Sequence, residues 1–170
     1  MKYLAVIDFT TINNTLTQLD GVYSSTVDAN LLQLYSKLAV LELSGWIEVS
    51  FDTLCLDYVN RKIVFSANQT KIMQIVKKHY GYSYDTNIYP MMCSVLGINN
   101  WENILDSFPT ADFVILKSIL GTYKTLRDPA AHTNTVAGVT PTFRAPSTVM
   151  VDFNQIKPAF QYLETKFNAL

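Results

Sequence analysis

An excess of charge of either sign is missing from this chain. Its 170 residues carry 13 Lys and Arg against 14 Asp and Glu, a formal net charge of −1. That balance excludes a general polyanion binder held by a broad basic surface, so any nucleic-acid contact has to be local. Histidine is scarce, with two copies, and neither HxxxH nor HExxH occurs. No metal site and no cofactor are therefore expected. The two cysteines, Cys55 and Cys93, stand in apolar settings without a CxxC or a paired histidine. They read as core thiols in a reducing compartment. No run approaches the roughly 18 apolar residues that a membrane span needs. The start, Met1 to Phe9, is apolar but short, is interrupted by Asp8 and lacks a small-residue cleavage site. It does not read as a signal peptide, and a cytoplasmic protein without membrane contact is expected.

What is present is apolar. Hydrophobic residues make up 49% of the chain and charged residues 16%. This implies one folded domain over residues 1–170 with much buried surface and a further apolar face for a partner. Helical spacing recurs throughout. Leu4, Ile7, Ile12, Leu16 and Leu19 predict a helix over Tyr3 to Leu19, broken at Gly21 and Ser24-Ser25. From Asp28, a good N-cap, a proline-free helix runs over Leu31 to Tyr58, apolar nearly all round between Leu38 and Ile47. Further helices are expected over Asn68 to His79, from Pro90 to Leu96, over Trp101 to Ser107, and from a cap at Thr110 or Asp112 up to Arg127. Thr133 to Ser147 reads as a long loop, Thr148 to Phe153 as a short extended piece, and Asn154 to Phe167 as the closing helix, with Pro158 in its first turn. The fold class is all-α, a helical bundle of six or seven helices with a long loop before the last.

Chemistry concentrates in Arg127-Asp128-Pro129-Ala130-Ala131-His132. Arginine is a permanent cation whose planar fork grips phosphate. Histidine alone exchanges protons near neutrality without perturbation. The pair suffices for cutting an RNA phosphodiester without a metal. On an unbroken helix the two side chains point about 140° apart and do not converge on one phosphate. Pro129 leaves two geometries open. In one, the long helix ends near Leu126 and Asp128 caps a new turn with Pro129 at its first position. In the other, a kinked continuous helix lets the two side chains meet residues of a second subunit.

The six residues resemble the Arg-x4-His signature of the HEPN superfamily, whose members carry a small polar residue after the arginine. Leu38-Ala-Val-Leu-Glu42, Gly45-Trp46-Ile47-Glu48, Ala131-His132-Thr133 and Ala145-Pro146-Ser147 extend the resemblance over roughly residues 30 to 165, towards the RiboL-PSP-HEPN branch. The resemblance implies a helical-bundle endoribonuclease that needs no metal and dimerises so that two motifs face one cleft. His132 would be general base or acid, Arg127 the phosphate clamp, and Asp128 an orienting partner or a helix cap. Expected products are 2′,3′-cyclic phosphate and 5′-hydroxyl ends. Such domains serve as toxins or antiphage effectors, sometimes restrained by an antitoxin or nucleotidyltransferase. The alternative is a non-catalytic module that holds RNA, a nucleotide or a partner protein.

Other residues have plainer readings. Glu42 and Glu48, in the most apolar helix, must be paired, bonded or near an opening. They are either structural ion-pair partners or acids supporting Arg127 and His132. His79, after two lysines, reads as a solvated helix end. Tyr80, Tyr82, Tyr84 and Tyr89 read as a loop packed on the core in preference to a base-stacking surface.

Overall fold

A computed structural model describes residues 6–79, 81–132 and 142–170, and in them the regular structure is entirely helical. Seven α-helices follow in order: α1 Phe9–Ser25, α2 Ala29–Lys62, α3 Ser66–Lys78, α4 Tyr89–Leu96, α5 Ile98–Asp106, α6 Thr110–His132 and α7 Pro146–Ala169. A π-helical turn, Tyr84–Ile88, leads directly into α4. Most of the expected loop, residues 133–141, lies outside the described residues, as do Leu4 of the predicted first helix and Tyr80 of the tyrosine cluster.

Helix α2 is the axis of the bundle. Asp28 stands at its N-terminus and accepts from the amides of Asn30 at 2.8 Å and Leu31 at 3.2 Å. Those two amides have no partner inside the helix, so the carboxylate supplies what the backbone lacks. Arg61 and Lys62 in the last turn complement the other end of the dipole. Buried side chains follow one another around its middle, from Ala39, Val40 and Leu43 through Trp46 and Ile47 to Leu54 and Cys55. Helices α1, α3, α4, α6 and α7 all pack against it. Trp46 joins α2 to two of these helices, α1 and α7. Its ring lies 5.7 Å from Phe9, 5.2 Å from Phe153 and 4.8 Å from Phe160, and its Nε1–H donates to the Asp8 carbonyl at 2.9 Å.

The largest departures from the sequence reading are in α1 and α7. Helix α1 starts at Phe9, with the Asp8 carboxylate accepting from the Thr10 and Thr11 amides, and runs on through Gly21 to Ser25. An exposed glycine inside a helix costs only about 1 kcal/mol, which the packing of Ile12, Leu16 and Leu19 offsets. Helix α7 begins at Pro146, so Thr148 to Phe153 is helical and not extended. Val149, Asp152, Phe153, Ile156, Ala159, Phe160, Leu163 and Phe167 form one buried helical stripe, and this packing overrides the β-branched local preference. Pro158 consequently lies inside the helix and not in its first turn. It and Asn154, whose carbonyl it deprives of a donor, are both exposed, so water replaces the missing bond.

One polar cluster crosses the core between α6 and α7. Asp152 is 7% exposed. Its Oδ2 accepts from the Tyr123 hydroxyl at 3.1 Å and from Arg144 Nη1 at 2.6 Å. The cluster ties the segment entering α7 to the middle of α6. Removing the acid leaves a buried hydroxyl and a guanidinium without their acceptor. Asp152→Ala is expected to cost about 3 kcal/mol in urea unfolding, and Tyr123→Phe about 1 kcal/mol. A loss below about 0.5 kcal/mol for Asp152→Ala would contradict a structural role for this cluster.

Candidate functional site

Helix α6 runs unbroken through Pro129 to His132. Of the two geometries compatible with Pro129, the continuous helix is the one observed, and Asp128 does not cap a new turn. Pro129 has no N–H to donate to the Thr125 carbonyl, and both residues are exposed, so that carbonyl is open to water. Arg127 and His132 therefore point about 140° apart around the helix axis. Arg127 is half-buried, and its Nη1 lies 3.3 Å from Oδ1 of the more exposed Asp128. The Asp128 contact, seconded by the charge of Glu48, raises the guanidinium above its ordinary pKa despite partial burial. His132 is exposed at the end of the helix.

Arg127 opens onto a hollow of about 250 Å³. Helix α6 contributes Lys124, Arg127 and Asp128, and α2 contributes Glu48. The segment before the π turn contributes Gly81, Tyr82 and Ser83, and the turn itself contributes Asn87. Lys124 precedes Arg127 by three residues, so both cations share one face of α6. Tyr82 is buried and its hydroxyl donates to the Ser44 carbonyl at 3.0 Å, which fixes this segment against α2. Burial, and then the charge of Glu48, push the Tyr82 phenol far above its usual pKa. Gly81 has φ +129°, and a Cβ there would lie 3.2 Å from Asn87 Oδ1. No larger residue fits that backbone without strain.

A second, smaller hollow of about 110 Å³ adjoins the first and shares Glu48, Gly81 and Tyr82 with it. Ile47, Phe51, Val76, Ile88 and Met91 make it apolar, and Asp52, Lys77 and His79 stand around it. His79, which terminates α3, is half-buried here and so is more than a solvated helix end. Burial and the nearby Glu48 carboxylate raise the Asp52 pKa, while Lys77 opposes them.

The structure thus gathers Arg127, Asp128 and Glu48 in one place. His132 lines neither hollow, and Glu42 is exposed on a separate one, between α1 and α2, beside Asp8, Thr11 and Trp46. Lys124, Gly81, Tyr82 and Asn87 were not singled out in the sequence as site residues. The spacing of Lys124 from Arg127 was a usable signal, whereas nothing local announces that residues 81–87 fold back over α2. Among the described residues, no three His, Cys, Asp or Glu side chains gather as a metal site, and no helix is long and apolar enough to cross a membrane. No protein-family model, curated protein or solved structure matches this chain.

The arrangement suits a single oxyanion. Two cations on one helix face offer it donors, Asp128 holds Arg127, and the charges of Asp128 and Glu48 limit the net attraction. The shared position of Glu48 has a measurable consequence. A raised carboxyl pKa means that the folded chain holds the proton more tightly than the unfolded chain. Asp52 therefore costs stability as pH rises from its unfolded pKa to its folded one. Glu48→Gln is expected to lower the Asp52 midpoint towards the ordinary carboxylate value and to lessen that cost. Carboxyl NMR titration reads the midpoint, and an unmoved Asp52 would show that the two acids do not face one space.

Proposed function

We propose that this chain is a HEPN-type endoribonuclease that cuts RNA without a metal and works as a homodimer. The observation that carries the reading is the placement of Arg127, braced by Asp128 and joined by Lys124 at the edge of an open hollow. The Arg-x4-His spacing on a late helix of an all-α bundle supports it. Arg127 and Lys124 would hold the scissile phosphate, and Arg127 would stabilise charge developing on the phosphorane. His132 would take the proton from the ribose 2′-hydroxyl or give one to the leaving 5′-oxygen. Attack of the 2′-oxygen on phosphorus forms the cyclic phosphate as the bond to the 5′-oxygen breaks, so no water enters that step.

The angle between Arg127 and His132 within one chain makes the second copy necessary. One chain would supply the phosphate clamp and its partner the histidine. Glu48 would position Arg127 through its charge, while Glu42 lies too far round α2 to share that hollow. Toxin or antiphage effector is the matching biological role, with an antitoxin or nucleotidyltransferase as the restraining partner. A specific observation favours one rival. The divergence of the two side chains would leave a monomer able to bind phosphate and unable to cut. In that case the chain is an RNA- or nucleotide-binding module.

Cleavage of labelled single-stranded RNA in excess EDTA separates these readings. The expected result is cyclic phosphate ends from the wild-type protein, a 10²–10⁴-fold loss in His132→Ala and about 10²–10³-fold in Arg127→Ala. Unchanged cleavage by the double mutant would overturn the assignment. Folded protein that binds RNA through Arg127 and leaves it intact would establish the binding module instead.

A further inference from the structure

We infer that the small apolar hollow beside Glu48 is a nucleobase pocket, seating a guanine whose phosphate lies against Arg127 and Lys124. The inference deepens the proposed function and rests on it for the identity of the phosphate as part of an RNA strand. Three features of the cleft lead to it.

The first is continuity. Glu48, Gly81 and Tyr82 belong to both hollows, so a ligand reaches from one to the other without leaving the protein surface. Gly81 forms their common rim, at a φ where a side chain is excluded and would press on Asn87. Close approach of a strand is therefore unobstructed there. The second feature is the contrast between the two arms. One presents Lys124 and Arg127, which suit a phosphate. The other has an apolar floor of Ile47, Phe51, Val76 and Met91 beneath a polar rim, which suits a flat ring with a hydrogen-bonding edge.

The third feature is charge. Across both hollows Lys77, Lys124 and Arg127 face Glu48, Asp52 and Asp128. Phosphate attraction alone is weak in such a balanced field, as it is over the whole chain at a net charge of −1. Affinity has to come from burying something else, and the apolar floor is the surface available for it. The rim then selects among the bases. Glu48 and Asp52, when ionised, only accept hydrogen bonds. Guanine offers a ring N–H and an amino group side by side, matching the two oxygens of one carboxylate. Uracil turns a carbonyl oxygen towards the same acids and is repelled.

The test is equilibrium binding to the His132→Ala protein, so that cleavage plays no part. Guanosine 3′-monophosphate and uridine 3′-monophosphate compete against a labelled oligonucleotide, read by anisotropy. The guanine nucleotide is expected to bind at least about tenfold tighter, equivalent to roughly 1.4 kcal/mol. Glu48→Gln and the exposed Asp52→Asn should reduce the preference to under about twofold, each with an unchanged circular dichroism spectrum. Val76→Phe, which fills the floor, should weaken both nucleotides. Arg127→Ala should weaken both equally and leave the preference intact. Equal binding of the two nucleotides, or a preference that survives loss of both acids, would overturn the pocket even if the protein cuts RNA. A guanine preference in a protein that cuts nothing would leave the pocket standing and remove the nuclease.

Discussion

Burial of one broad face of α2, from Ser36 to Val59, is the constraint from which the rest of this molecule follows. Five other helices pack against this 34-residue helix and leave little room for polar side chains on its buried face. The three buried serines on α2 are small, and Ser44 satisfies its hydroxyl on the Val40 carbonyl of its own helix. Glu48 lies on this same helix, one residue beyond the fully packed Ile47. A carboxylate so placed needs either water or a cation, and two hollows open beside it. The gap in packing that accommodates Glu48 is also where α6 and the α3–α4 connection meet α2. The candidate site is thus located by the demands of the core.

The second determinant is the straightforward continuation of α6 through Pro129. Pro129 gives up one backbone bond at an exposed position, and Ala130 packs into the core beyond it. The price is that Arg127 and His132 look away from each other. Inside one chain the arginine has Asp128, Lys124 and Glu48 as neighbours, and the histidine has solvent. The proposed chemistry is therefore inseparable from a symmetric pairing in which each copy supplies half of each site.

Much of the fold could be read before any coordinates. The apolar run from Leu38 to Ile47 predicts the central helix, although Leu38 and Glu42 within it face solvent, and Asp28, Pro90 and Gly97 mark helix ends found at or beside those positions. The misreadings occurred where local preference and tertiary packing disagreed. Thr148 to Phe153 has β-branched residues, yet Val149, Asp152 and Phe153 complete the buried stripe of α7. Gly21 reads as a break in isolation, but Ile12, Leu16 and Leu19 bury α1 ahead of it and the helix continues past it to Ser25. Of the site, Arg127, Asp128 and Glu48 were visible as residue types in a plausible place. That Glu48 joins Arg127 while Glu42 does not depends on how α2 is rotated against α6. Gly81 and Asn87 enter through a chain reversal that no local pattern encodes.

Pairing across two chains is the central claim, and complementation tests it directly. Arg127→Ala and His132→Ala proteins, each inactive alone, are mixed under conditions that exchange subunits, and RNA cleavage is measured before and after mixing. A mixed dimer holds one site with an intact arginine from one chain and an intact histidine from the other. The account predicts that cleavage returns on mixing. A mixture as inactive as its components, with mixed dimers demonstrated, would mean that the two residues do not act across subunits.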